Sequence, residues 1–462
     1  MPSLQAATAK TPRAIRVALT APYRRLFLGE TLATAASTAV ASALAINALM
    51  HGASAFVIAL LVALIALPVV VVSPLVRPTI ERYGVYRTLL WTHGIVVIGL
   101  LAAAVCALTK FGWLYPYFAL DTLIGLATAF HGPAVFASLS WFVGEEHVPL
   151  GIATVNLRTA LTWMAGPLLG GVFAGVANGA VVLLVAAAAT ACAMLPLHTL
   201  RASFRAGERV LHERQQHDPR CVTRSIEQGI AAAEVNGLCM LTQAPAVVDR
   251  RLWALLRDRD ARFALVLYGA CYASLGAFTV LLTPWARSNL HLSAAAVGTV
   301  LSLRSTASMP GPLLSGWFVK VLGMSRTLVG LGIATGAVVA ILATRSRWDG
   351  VAFASVIVYG ALFYCLTSGV FTTLFTVVVG PVRRTEGAAL FALVKASSSI
   401  VFVALGLCAR AWGAPLILGW CGAAGIAAAV LLRVVTRGPW NRLMTAFRVQ
   451  RELAVLTASH ER

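Results

Sequence analysis

Twelve stretches of mostly apolar residues recur between Leu26 and Leu432, each near the ~20 residues that a helix needs to cross a bilayer. They are rich in Ala, Val, Leu and Gly and lack period-two alternation, which favours helices over an outer-membrane barrel. No soluble core hides this much apolar surface. Of the 462 residues 59% are hydrophobic and 12% charged, against roughly a quarter charged in a water-soluble chain. The predicted fold class is an all-α membrane protein with about twelve transmembrane helices.

The predicted spans, numbered 1 to 12, are 26–50, 54–76, 86–108, 112–138, 150–173, 177–199, 262–284, 293–319, 325–344, 350–379, 386–409 and 413–434. They divide the chain into an N-terminal segment (1–25), a six-helix bundle (26–199), a polar central loop (200–261), a second six-helix bundle (262–434) and a C-terminal tail (435–462). Within the central loop, 225–235 and 247–257 have the pattern of surface helices. The N-terminus lacks a short apolar region followed by a small-residue cleavage site, so span 1 is expected to remain in the protein.

The net charge is +20. Such a value ordinarily points to nucleic acid, but here the basic residues punctuate apolar segments, and no nucleic-acid partner is expected. With a cytoplasmic N-terminus, the inside segments carry Arg24, Arg25, Arg82, Arg87, Lys320, Arg326, Arg383, Arg384 and the cluster from Arg201 to Arg262. The outside loops carry only Lys110, Arg287, Arg345, Arg347 and Arg410. This asymmetry places both termini in the cytoplasm of a multi-pass protein, expected in a bacterial inner (plasma) membrane. An error of one helix would break it. Six of the eight cysteines lie within apolar spans, so no disulfide framework is expected, and His212, His217 and Cys221 have a spacing that fits no standard metal site.

An internal repeat is present. Spans 2 and 3 are joined by Gly84-Val-Tyr-Arg87-Thr-Leu-Leu90, spans 8 and 9 by Gly323-Met-Ser-Arg326-Thr-Leu-Val329. Each glycine allows a tight turn. Two parallel six-helix repeats separated by a long loop suit a transporter whose halves rock about a central site.

The chain resembles the major facilitator superfamily and, within it, the enterobactin-exporter-like branch of bacterial efflux proteins. The resemblance rests on Pro22–Gly29 at the start of span 1 and on Ser73-Pro-Leu-Val-Arg-Pro-Thr-Ile-Glu81-Arg82-Tyr-Gly84-Val-Tyr-Arg87. It extends to Gly125–Ala134 in span 4 and to Asn156-Leu-Arg158 through Gly166-Pro167-Leu-Leu-Gly170-Gly171 in span 5. It departs at Ser73, Val85 and Tyr86. The resemblance implies that spans 1, 4, 7 and 10 line a central cavity and that span 5 meets span 8. Gly166/Gly170 and Gly171/Gly175 are small-xxx-small pairs that let another helix approach, and Pro167 can bend the helix.

Ionisable residues inside a membrane are costly and face a cavity or a partner. The candidates for a substrate or proton pathway are Asp121, Glu30, Arg158, Arg304, Lys395 and His131. Asp121 stands where many antiporters of the superfamily have an arginine; it could carry a proton, repel a wrongly charged solute, or reach water at the outer end of span 4. Glu30 pairs with Arg24 and Arg25 or serves transport. Arg158 could snorkel to the cytoplasm, while Arg304 and Lys395 lie deeper. A histidine can change charge near neutral pH, so His131 could carry a proton or simply pack between helices. Trp163, Tyr268, Tyr272, Trp285, Tyr359 and Tyr364 could line an amphipathic solute's path.

The resemblance implies that loop 2–3 lies against the start of span 11 and loop 8–9 against the start of span 5, so two charge-swapped latches are expected on the cytoplasmic side, Glu81 with Arg383 or Arg384 and Lys320 with Glu145 or Glu146. No P-loop, zinc-protease or nucleophile-elbow motif occurs, so no enzyme activity and no cofactor are expected. The expected function is proton-coupled efflux of a small amphipathic or anionic compound (a metabolite, siderophore or drug) by a monomer in the lipid bilayer. Uptake of a similar solute and a non-transporting sensor on the same fold are the alternatives.

Overall fold

The computed structural model describes residues 20–109, 111–112, 114–144, 148–176, 179–217, 257–345, 347, 349–374, 384–435, 438, 441 and 444–445. The described residues are helical almost throughout. The N-terminal half contains α1 (Ala21–Met50), α2 (Ala55–Tyr83), α3 (Val85–Leu108), α4 (Tyr115–Val143), α5 (Val148–Val176) and α6 (Gly179–Thr199). A further helix, α7 (Arg201–His217), opens the central loop. The C-terminal half contains α8 (Arg259–Ser288), α9 (Ala294–Ser308), α10 (Gly311–Leu322), α11 (Met324–Ala343), α12 (Gly350–Tyr364), α13 (Arg384–Trp412) and α14 (Ala414–Val435). A π-helical turn, Cys365–Val370, continues α12.

Nine helices among the described residues are long and apolar enough to cross a membrane. Their outward faces keep residues such as Val71, Ile98, Leu195 and Leu407 exposed, as a lipid-facing surface requires. Span 8 differs from its prediction. It is not one helix over 293–319 but two, α9 and α10, parted at Met309–Pro310. Proline lacks the N–H that would continue the ladder and crowds the preceding turn. The two repeat loops share one geometry: Gly84 has φ 82 and ψ 160, Gly323 φ 80 and ψ 156. A side chain there is strained, so glycine ends one helix and starts the next within a single residue.

The halves meet through two helix pairs in corresponding positions, α5 with α9 and α2 with α13. Both pairs approach at the end of the bundle away from Ala21 and Val435. A Cβ on Gly171 would stand 2.7 Å from Gly298 Cα, and one on Gly406 2.5 Å from Ala59 Cβ. Within the N-terminal half, α5 lies equally close to α1: a Cβ on Gly170 would come 2.4 Å from Ala39 O. The Gly166–Gly171 stretch thus brings α5 against α1 on one face and against the other half on the next.

Candidate functional site

Four helices of the N-terminal half converge on one buried carboxylate. Glu30 of α1 is 1% exposed. Its Oε2 lies 2.6 Å from His131 Nε2 of α4 and 3.7 Å from Arg158 Nη1 of α5. Its Oε1 lies 3.9 Å from His93 Nε2 of α3. Arg24 and Arg25 are exposed, so the partners of Glu30 are not its neighbours in sequence. Arg158 is 2% exposed and does not snorkel. Nor is His131 a lone packing residue. His93 is not among the residues singled out from the sequence, although it carries the same signal as His131: an ionisable ring within an apolar span.

Hydrogen bonds around the cluster fix where its protons sit. The Thr92 hydroxyl donates to Leu89 O at 2.9 Å. With the hydroxyl hydrogen assigned to this shorter bond, its oxygen accepts from His131 Nδ1–H at 3.2 Å. His93 Nδ1–H donates to the same Leu89 carbonyl at 2.9 Å. Both rings are thus protonated at Nδ1 and turn Nε2 toward Glu30, the second bond of a histidine fixing its tautomer. A contact of 2.6 Å between His131 Nε2 and a carboxylate oxygen needs one proton between them. Glu30 Oε1 and His93 Nε2, in contrast, have no hydrogen-bond partner. Glu30, His93 and His131 offer three ligand atoms within 4.8 Å of one another, a spacing that could hold a metal ion. The proton on His131 and the Arg158 guanidinium already supply positive charge to the carboxylate, so this donor set suits protons better than a divalent cation.

A second feature lies between the halves. A cavity of ≈ 190 Å³ is walled by residues of α1, α2, α5, α8, α9 and α13, among them Trp163, Tyr272, Arg304, Lys395 and Phe402. Arg304 is held by a chain of polar groups. Its Nη1 donates to Thr279 Oγ1 at 3.2 Å, Thr279 lies 3.3 Å from the Tyr359 hydroxyl, and Tyr359 donates to Leu275 O at 3.0 Å. Gly360 of α12 admits the Arg304 backbone, since a Cβ there would stand 2.4 Å from Arg304 O. Arg304 Nε and Trp163 Nε1 are buried donors without partners. A smaller cavity of ≈ 90 Å³ reaches His93 and His131 and shares Thr38, Ala41 and Ile65 with the larger one.

The remaining candidates stand elsewhere. Among the described residues, neither α4 nor α12 walls the larger cavity. The larger cavity is walled by α1 and α8, the expected spans 1 and 7, together with α2, α5, α9 and α13, while α4 walls the smaller cavity beside it. Asp121 is 1% exposed on α4, its Oδ1 without a partner, and it walls neither cavity described above. It does not reach water. Of the aromatic candidates Trp163 and Tyr272 wall the cavity, while Tyr268, Trp285 and Tyr359 are packed in the C-terminal core. Glu81, Arg82, Arg87, Lys320 and Arg326 are exposed at the repeat loops. Their expected partners Glu145, Glu146 and Arg383 lie outside the described residues, as does the Arg384 side chain. The segment 225–235 also lies outside them, as does 247–256.

Comparison with known proteins follows the same architecture. The chain is similar to a peptide transporter POT in complex with sulfate (TM-score 0.66, 13% identity, covering 92% of this chain and 95% of that one). It is similar to a POT family transporter in complex with 5-aminolevulinic acid (TM-score 0.64, 12% identity, 90% and 96%). The nucleoside transporter NupG also matches (TM-score 0.63, 10% identity, 90% and 99%). At these identities the likeness is one of fold. No curated protein sequence matches the chain. The family model of the Major Facilitator Superfamily matches residues 26–403, and the chain belongs to that superfamily.

Proposed function

We propose that this membrane transporter is a proton-coupled secondary carrier that exports a small amphipathic or anionic compound by alternating access. The observation that carries the reading is the cavity between the halves. It joins two basic side chains, Arg304 and Lys395, to the rings of Trp163, Tyr272 and Phe402. A fixed cation in a low-dielectric cavity attracts an anionic group, while the rings take an apolar body. The solutes named with the structural neighbours, a sulfate and 5-aminolevulinic acid, carry anionic groups of this kind. Export rather than uptake rests on the resemblance of Asn156-Leu-Arg158 through Gly170-Gly171 to the span 5 motif associated with exporters.

With the termini in the cytoplasm of a bacterial inner membrane, the Gly171–Gly298 and Gly406–Ala59 contacts lie on the outer side. Rocking about them would alternate access to the cavity. The test is accumulation of a panel of metabolites, siderophores and drugs in inside-out vesicles, with and without a pH gradient. Gradient-dependent accumulation of an anionic or amphipathic member is expected. No accumulation beyond vesicles that lack the protein would overturn the reading.

A further inference from the structure

We infer that Glu30 and His131 share the coupling proton, and that its departure transfers the Glu30 carboxylate from His131 on α4 to Arg158 on α5. The inference rests on the transport reading and adds to it the place of the proton and the element the proton moves.

The argument begins with hydrogen-bond chemistry. With His131 Nδ1–H committed to Thr92 Oγ1, the 2.6 Å contact between His131 Nε2 and Glu30 Oε2 exists only while a proton lies between them. When that proton passes to water in the adjoining cavity, the N–H bond breaks and a lone pair takes its place. Nitrogen and carboxylate oxygen then both act as acceptors and repel. The nearest donor is Arg158 Nη1, 3.7 Å from the same oxygen. A small rotation of the Glu30 side chain makes that bond. Inside a membrane a carboxylate without a donor is costly, so loss of the proton favours the bond to Arg158 and its return favours the bond to His131.

Each partner sits on a different helix. His131 belongs to α4, packed on α2 and α3 within the N-terminal half. Arg158 belongs to α5, whose Gly171 lies against Gly298 of the other half. Gaining or losing one proton therefore changes which helix the Glu30 carboxylate is bonded to, and one of the two is a helix at the interface between halves. The route to the central cavity runs past Thr38, which walls both cavities. Its hydroxyl also lies 3.2 Å from Thr162 O of α5.

The other charged or titratable groups around the pair are few. His93 on α3 faces Oε1 with an Nε2 lone pair. Tyr23 on α1 donates to Gly151 O at 3.2 Å and lies on the Arg158 side. From α2 and α6 the smaller cavity receives Ile65 and Thr190, which carry no charge. Asp121 precedes His131 by ten positions on α4, about 15 Å along the helix.

The test needs no solute. A Ser42→Cys reporter in the wall of the central cavity is introduced into the full chain in proteoliposomes. Its labelling by a maleimide is followed between about pH 5 and 8, where histidine changes charge, against the chain without the reporter. A several-fold change in labelling rate is expected across this range. It should vanish in Glu30→Gln and in His131→Gln, which keeps a neutral donor at the Nε2 position, and persist in Asp121→Asn. Thermal melts and gel filtration identify variants that fold. A folded His131→Gln or Glu30→Gln protein that keeps the pH response, or a reporter whose labelling ignores pH, would overturn the inference. If instead no solute of any class moves in vesicles while the pH response stands, the transport reading fails and the proton switch survives.

Discussion

His93 Nε2 and Glu30 Oε1 face each other across 3.9 Å, both buried and neither with a hydrogen-bond donor. Two acceptors in this position weaken the hold on Glu30 from the α3 side. The carboxylate is firmly bonded only through Oε2, and Oε2 has a choice of partners.

The first prediction follows from that relationship. His93→Gln replaces the ring lone pair by an amide that can donate to Glu30 Oε1. It gains a hydrogen bond to a charged group, about 1.5–3 kcal/mol, and loses the bond to Leu89 O, about 0.5–1.5 kcal/mol. The variant is expected to melt higher than the wild type and to transport more slowly, since Glu30 is now pinned. Thermal melts and gradient-driven uptake into inside-out vesicles measure the two effects. A lower melting temperature with unimpaired transport would show that the lone pair on His93 is itself needed for stability.

The second prediction concerns solute charge. Arg304→Gln with Lys395→Gln removes both cations from the cavity wall. Binding of anionic solutes should fall by tenfold or more, about 1.4 kcal/mol, and binding of cationic solutes should fall less or improve. Equilibrium binding of anionic and cationic members of one solute series separates the cases. Equal losses for both classes would assign the two residues to packing.

How much of this was legible beforehand differs by feature. The paired turns at Gly84 and Gly323 are local, and a repeated glycine in matching sequence announced them. The break in span 8 is also local, yet Pro310 alone does not announce it: Pro68, Pro74 and Pro78 all sit inside α2 without ending it. Inside a bundle, neighbouring side chains and helices re-satisfy the backbone groups a proline frees. The Glu30 cluster was half legible. Glu30, His131 and Arg158 stood out as ionisable residues in apolar spans and His93 did not, while Glu30 and His131 are 101 positions apart. Which members meet depends on how four helices turn their faces, and the nearly uniform apolarity of α1 and α4 leaves no polar stripe from which to read that rotation. Proximity in sequence pointed to Arg24 and Arg25. These lie on the exposed face of α1, while Glu30 lies on its buried face.

The third prediction tests the contact between halves. Gly171→Leu inserts a side chain where Gly298 Cα and Ala294 O already stand within 2.7 Å of the Cβ position. Gly166→Leu and Gly170→Leu insert bulk against Thr38, Ala39 and Ala43 of α1. Overpacking of this kind costs typically 1–3 kcal/mol. The expected distinction is in kind. Gly171→Leu should raise cysteine accessibility at the end of the bundle away from Ala21 by holding the halves apart, with little loss of melting temperature. Gly166→Leu and Gly170→Leu should lower the melting temperature of the N-terminal half. If all three behave alike, α5 does not serve two separate interfaces.

The fourth prediction concerns α7, which polarity alone assigned to a loop. Its Phe204 is 0% exposed and packs among Tyr86, Trp141 and Phe142, with ring centroids 5.7, 6.3 and 5.0 Å away. One turn on, Gly207 leaves room for Trp141, since a Cβ would stand 2.4 Å from its Cδ2. Glu208 then accepts from Tyr86 N at 3.2 Å, at the first turn of α3 beside Gly84. A carboxylate there satisfies a backbone donor that the helix cannot and meets the positive end of its dipole, an effect of about 0.3–1 kcal/mol. The central loop is therefore fastened to the turn between α2 and α3 through its first helix. Arg201, Arg205 and Arg209 remain exposed along the opposite side. Glu208→Ala should speed amide hydrogen exchange over residues 84–90 while leaving 323–329, the matching turn of the other half, unchanged. Phe204→Ala, removing a buried ring at a cost of about 3–5 kcal/mol, should release α7 and produce the same exchange pattern more strongly. Glu208→Gln keeps an acceptor and should fall between Glu208→Ala and the wild type. Equal exchange at both turns in all three variants would mean that α7 rests on the bundle without holding the turn.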